Sequence, residues 1–270
     1  MEGMKVYVID TGRLHNDMNL TFAQAVQATR DNPNPDIKWL HQPTYCALIQ
    51  HPDAGWILFD IGTNPDVNEQ VTPGIGAGWY HTIDEEDQTM VAQLAKLGLK
   101  PEDINYVVMS HMHIDHIGNV ELFKDTAEFF VSRAEAQHAF CAVKGSLDPA
   151  TYGFYYKPHV LADVKKYHYV EEDEEIFEGI ETILIPGHTP GMMGLYLHLE
   201  DQDIILASDG CFGSLIWDDG KLPGSCGDTG SFVKSVKKLK KLQKKNNAMV
   251  WFGHDLEQFN NFKKIPEYYK

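Results

Sequence analysis

An α/β protein built on two packed β-sheets flanked by helices is the fold class this sequence predicts, on three observations. Short apolar runs of strand length fall in two series along the chain. Segments with helical spacing of apolar residues lie between and after them. No repeat, low-complexity tract or Pro/Gly/Ser-rich linker interrupts the 270 residues, so positions 1–270 are expected to form a single domain with a sizeable core.

The first series of strands is expected at Lys5 to Ile9, Tyr45 to Gln50, Trp56 to Asp60 and Ile104 to Ser110. The second is expected at Glu128 to Ser132, Ile180 to Pro186, Gly194 to Leu199, Asp203 to Asp209 and Ala248 to Gly253. Between them, Asp87 to Leu97 places Met90, Val91, Leu94 and Leu97 at helical spacing, and Gly98 stops the helix. Ser231 to Lys245 does the same with Phe232, Val233, Val236, Leu239 and Leu242, while its many lysines fall on the opposite, solvated face. Glu171 to Glu175 reads as an exposed turn.

Composition narrows the function. A net charge of −16 disfavours a nucleic-acid partner, because neutralising phosphates supplies most of that affinity. No apolar run approaches the roughly 18 residues of a membrane span, so no membrane partner is expected. The four cysteines form no Cys-x-x-Cys pair, and the N-terminus lacks the pattern of a secretory signal; a cytoplasmic location is the expectation. The 13 histidines point elsewhere, toward metal.

The strand Ile104 to Met109 runs into Ser110-His111-Met112-His113-Ile114-Asp115-His116. Three imidazoles and a carboxylate in so tight a loop would each need a separate buried partner, at a cost of about 1–3 kcal/mol when unpaired. A shared metal satisfies them together. Three further apolar strands end the same way, in Gly187-His188, Ser208-Asp209 and Gly253-His254. Imidazole and carboxylate suit zinc, and equally iron, cobalt or manganese.

The run His111-x-His113-x-Asp115-His116 followed by His188, Asp209 and His254 resembles the metallo-β-lactamase superfamily over nearly the whole chain. Val6 to Gly12, Leu58 to Thr63, Pro186 to Gly191 and Gly253 to Phe259 look most like its N-acyl-homoserine lactonases. The resemblance implies an αββα sandwich of two mixed sheets with the site at their shared edge. It implies two divalent metal ions, one held by His111, His113 and His188 and the other by Asp115, His116 and His254, with Asp209 bridging. The expected reaction is lactone opening, of N-acyl-homoserine lactones (quorum quenching) or a related small lactone, by a hydroxide that the metals share. Asp115 and Asp209 are the expected catalytic carboxylates, Asp115 also carrying a proton to the leaving alkoxide. Lactonase relatives are often dimers; the sequence leaves the oligomeric state open, a homodimer among the possibilities.

One position departs from that group. Its members carry tyrosine three residues after the bridging aspartate, and here Phe212 keeps the ring without the hydroxyl. Losing one such donor costs about 10²–10³ in rate. Either the metals suffice, or the substrate is a different cyclic amide, ester or thioester. His15, Tyr80 and Tyr155 are candidates to replace the hydroxyl. The segment Leu14 to Leu20 corresponds to one that lines the acyl pocket in related lactonases, which makes Leu14, Asn16 and Met18 candidate substrate contacts beside Phe212. Asn16 would make that pocket more polar than a long acyl chain wants. Cys211 beside the site has no evident base and is expected to pack.

Overall fold

A computed structural model describes residues 2–71, 78–145 and 153–270. Its strands are β1 (Lys5–Asp17), β2 (Trp39–His51), β3 (Gly55–Phe59), β4 (Trp79–Thr82), β5 (Ile104–Val108), β6 (Glu128–Ser132), β7 (Tyr167–Val170), β8 (Glu175–Phe177), β9 (Ile180–Leu184), β10 (Met193–Leu197), β11 (Ile204–Ser208) and β12 (Met249–Phe252). They form a 7-stranded sheet in the order β4-β1-β2-β3-β5-β6-β7 and a 5-stranded sheet in the order β12-β11-β10-β9-β8. Both sheets are mixed: β3, β5, β6 and β7 run parallel, as do β11 and β12, and the remaining pairs are antiparallel.

The period-2 alternation of side chains assigns each strand's two faces to different cores. On β1, Val6 and Val8 point between the sheets, where they join Ile49, Ile57 and Phe59 against Leu195, Leu206 and Trp251. Tyr7 and Ile9 point outward and pack with Leu94, Phe123 and Ala139 under the helices that cover the first sheet. The outer face of the second sheet, with Ile183, Tyr196 and Ile205, is covered by Phe232, Val236 and Leu239 of the helix Thr229–Asn246. Helix, sheet, sheet, helix is therefore the layering, as expected from the sequence. Strands β10 and β11 are buried at every position because they have helix on one side and sheet on the other.

Several boundaries differ from the sequence expectation. The helix expected over Asp87 to Leu97 is shorter, Met90–Ala95, because Thr89 Oγ1 accepts from Ala92 N and caps it there. The lysine-bearing helix is longer, and Asp228 caps its start by accepting from the Gly230 and Ser231 amides. Strands β1 and β2 each extend to 13 residues, pairing from Lys5↔Gln50 to Asp17↔Trp39 with a register shift between Asp10 and Arg13. The outer half of β1 also pairs with β4, and there Leu14 and Trp79 pack with Val67 and Ile114 in a small buried cluster. Among the described residues, no helix is long and apolar enough to cross a membrane.

Trp251 is fully buried between the sheets, in ring contact with Phe262, Tyr45 and Tyr269. Replacing it with alanine should destabilise the fold by about 3–5 kcal/mol, the usual cost of an aromatic cavity. A lowered denaturant midpoint with an unchanged slope would register it.

Candidate metal centre

Four segments, each following the C-terminal end of a strand, bring the predicted residues to one edge of the sandwich, Asp115 and His116 from the short helix Ile114–Ile117. β5 leads to His111, His113, Asp115 and His116; β9 to His188; β11 to Asp209; and β12 to His254. The small residue before each of the last three has a steric reason at two positions. Gly187 has φ +149°, and a Cβ there would collide with the Phe232 backbone. A Cβ on Gly253 would lie 2.7 Å from Asp209 Oδ1. Larger residues would push His188 and His254 out of place.

The potential ligand atoms form three interlocking groups: His111, His113 and His188; His111, His116 and Asp209; and Asp115, His116 and His254. Within each group the atoms lie within 4.8 Å of one another. Asp209 is central. Its carboxylate oxygens are 3.0 Å from His254 Nε2, 3.3 Å from His188 Nε2, 3.5 Å from His116 Nε2 and 4.0 Å from His111 Nε2. Asp115 Oδ2 is 3.7 Å from His116 Nε2 and 3.9 Å from His254 Nε2. His111 Nε2, His116 Nε2 and Asp209 Oδ1 are buried without a hydrogen bond. Buried polar atoms converging unpaired on one point, with nitrogen and oxygen donors only, fit divalent metal ions of the zinc, iron, manganese or cobalt type.

The opposite ring nitrogens are held from behind, which fixes ring orientation. His116 Nδ1 meets Asp60 Oδ2 at 2.8 Å, His254 Nδ1 meets the Pro43 carbonyl at 2.9 Å, and His188 Nδ1 meets the Ser225 carbonyl at 3.2 Å. His111 Nδ1 lies 3.0 Å from Ser110 Oγ. Asp60 also accepts from Ser110 N at 2.7 Å, Ser110 Oγ at 2.8 Å and Ser208 Oγ at 3.2 Å. It was not singled out from the sequence, although the Leu58 to Thr63 motif contained it. Its φ of +60°, uncommon for a non-glycine residue, is the structural mark of its task.

Burial and charge divide the histidines. Burial, reinforced by neighbouring imidazoles, holds His111 and His113 well below the ordinary histidine value, so both are neutral donors. Burial opposes the charged form of His116 too, but Asp209, Asp115 and Asp60 outweigh it and hold its pKa well above the ordinary value. For Asp209, burial is likewise overcome, here by His254, His116 and His188, and its pKa falls well below the usual carboxylate range.

Beside the cluster is a cavity of ≈ 40 Å³ whose lining includes His113, Asp115, His188, Asp209 and His254. Leu14, Asn16 and Phe212 line it, as expected from the sequence, and so do Thr21, Gln42, Trp79 and Phe154, which were not foreseen. Met18 does not. It packs instead against the outer core of the second sheet, because the chain turns into the short helix Met18–Thr21 where a continued strand would have kept Met18 on the pocket face. The Phe212 ring is 5.3 Å from the ring of His188 and 6.2 Å from that of His254. None of the three candidates to replace its missing hydroxyl lines this cavity. His15 lies on the other face of β1, stacked on Tyr80 and bonded to Thr82 and His41. The Tyr155 hydroxyl donates to Glu135 Oε1 at 2.9 Å. A larger cavity of ≈ 440 Å³, with Tyr155 and His138 in its wall, opens on another side of His113 and His188. Cys211 is buried, and burial pushes its thiol up to about 12, so it packs and does not attack.

Fold and side-chain cluster together define a metal-dependent hydrolase. A family model described as the metallo-beta-lactamase superfamily matches residues 41–254, and the chain belongs to that superfamily. Full-length relatives include an N-acyl homoserine lactonase of Bacillus cereus, 29% identical over 98% of both chains. Another is N-acyl homoserine lactonase AttM of Rhizobium radiobacter, 29% identical over 100% of both. Among solved structures, an N-acyl homoserine lactone hydrolase with the product N-hexanoyl-L-homoserine bound at its catalytic metal centre superimposes with a TM-score of 0.82. It is 28% identical, and the match covers 98% of each chain.

Two outcomes are expected for metal binding. Asp60→Asn should weaken metal affinity about 10–100-fold, as loss of a partner behind a ligating histidine generally does; competition with a chromogenic chelator reads it. Loading zinc into metal-free protein near pH 7 should release protons, because His116 carries one that the metal must displace. Affinity should accordingly fall as pH is lowered, and the binding enthalpy should vary with the buffer's ionisation heat.

Proposed function

We propose that this protein opens lactone rings by hydrolysis at a two-metal centre, with N-acyl-homoserine lactones or a related small lactone as substrate. The observation that carries the reading is the complete set of seven side chains, Asp209 at its centre with six around it, set in a chain similar over its full length to lactonases. His111, His113 and His188 would hold one divalent ion, Asp115, His116 and His254 the other, and Asp209 both. Held by these residues, divalent ions would supply a lowered pKa for bound water and polarisation of a carbonyl.

The chain's own groups do the rest. Asp60, Pro43 and Ser225 hold the rings of His116, His254 and His188, so the ligand atoms need not reorganise during the reaction. Asp115, at the cavity wall, is the carboxylate placed to take the proton lost by water and return it to the ring oxygen as that leaves. Phe212, Trp79 and Phe154 give the lactone an apolar surface and reduce competing water around it. Water adds to the carbonyl carbon, the ring C–O bond breaks, and a hydroxy acid results.

The absence of a hydroxyl at Phe212 favours a second reading, in which the same centre hydrolyses a cyclic amide, ester or thioester. Proton release on a panel of lactones by metal-loaded protein separates the two. Opening of acyl-homoserine lactones that disappears in Asp209→Asn supports the first; inertness toward every lactone with two metals bound supports the second. If lactones are the substrates, Phe212→Tyr should raise kcat by about 10-fold or more, since a donor in such a position is worth up to about 10²–10³.

A further inference from the structure

Five imidazoles would supply ligand atoms, and four of them are held from behind by a hydrogen bond: His116 by Asp60, His254 by the Pro43 carbonyl, His188 by the Ser225 carbonyl and His111 by Ser110. His113 is the exception. Its Nδ1 faces the cluster, 3.0 Å from His188 Nε2, and among the described residues nothing bonds its Nε2. The ring is met instead by that of Tyr155, with centroids 4.6 Å apart and planes at 65°, edge to face. Tyr155 is fixed in turn by its hydroxyl, which donates to Glu135 Oε1 at 2.9 Å.

Glu135 does more than hold Tyr155. The same Oε1 accepts from Met112 N at 3.0 Å, and Met112 lies between His111 and His113. Glu135 N donates to Ser132 Oγ at 3.0 Å, and Ser132 Oγ donates at 2.6 Å to the carbonyl of Gly191, in the turn that follows His188. A side chain at Gly191 would collide with the Glu135 backbone. One residue in the first turn of the helix Arg133–Gly145 therefore meets the segments that carry His111, His113 and His188. The stretch with Asp115 and His116 is tethered elsewhere: Ile114 N donates to the Phe154 carbonyl at 3.0 Å, and Ile61 N to the His116 carbonyl at 2.8 Å. Glu135 is 0% exposed, and its Oε2 is buried without a hydrogen bond. A carboxyl group buried with one oxygen unpaired costs stability that an apolar side chain would not, so its presence here calls for a reason other than stability.

We infer that Glu135 is a positioning residue for one ion site alone, the one that His111, His113 and His188 would form. Through Tyr155 it fixes the ring of His113, and through Met112 it fixes the spacing of His111 and His113. Asp60 serves the opposite half of the centre through His116. The inference rests on the two-metal reading above.

The test is zinc binding by metal-free protein, followed by competition with a chromogenic chelator so that two successive affinities are resolved. Glu135→Leu should weaken one step by about 10–100-fold, the usual effect of losing the support behind a ligating residue, and leave the other within about 2-fold. Glu135→Gln keeps an acceptor for Met112 N and the Tyr155 hydroxyl, and should recover most of that loss. His113→Ala removes the affected site, so adding Glu135→Leu to it should leave the surviving step unmoved. A general loosening of the fold would weaken both steps together. Tyr155→Phe deletes only the hydroxyl that Glu135 holds, and it decides the question if Glu135→Leu does not fold: the same step should weaken by about 2–10-fold. Two steps weakened alike, or neither step moved, overturn the inference and leave the two-metal reading standing. A wild type that binds a single zinc overturns both.

Discussion

At the edge where the site lies, the two sheets are joined through one buried carboxylate. Asp60, at the end of β3, reaches Ser110 beyond β5, Ser208 at the end of β11, and His116 in the ligand loop. These partners come from both sheets, so this side chain ties the first sheet's candidate ligands to the strand that leads to Asp209. A buried carboxyl group needs such partners to be tolerable, and here the partners are the candidate ligand His116 and neighbours of the others. The same contacts that make Asp60 stable make the centre rigid.

Around that tie, like charges and unlike charges are interleaved. Five imidazoles at such close quarters would repel if all were protonated, and two carboxylates would repel if alone. Asp209 at the centre, with four histidines within 4.0 Å, offsets both. Neutral His111 and His113 on one side and carboxylate-paired His116 on the other leave the cluster balanced before any ion arrives.

The layers and the clustering of the donor side chains were legible because both follow from local pattern: apolar strands of fixed period, each leading to donors at its end. What was missed depends on partners far along the chain. The polar outer half of β1, Arg13-Leu14-His15-Asn16-Asp17, reads as loop, and is buried only because β2, β4 and the pocket enclose it. β4 is four residues long with alternate exposure, too short to display its period. β7 and β8 flank an acidic turn and are similarly brief. Gln42 and Thr21 carry no local signal for a pocket wall, and Asp60 is bonded to residues 50 to 148 positions away.

The register shift between Asp10 and Arg13 splits β1 into two working halves. Below it, Val6 and Val8 belong to the core between the sheets; above it, Leu14 and Asn16 face the cavity. None of the seven candidate ligands lies on β1, β2 or β4; they sit in the loops after β5, β9, β11 and β12 and, for Asp115 and His116, in the short helix Ile114–Ile117 that follows β5. Substitutions at the cavity-facing positions of the upper hairpin can therefore accumulate without removing any of the seven candidate ligands. A lineage carrying this scaffold can exchange one substrate for another by changing a handful of side chains, while its chemistry is inherited intact.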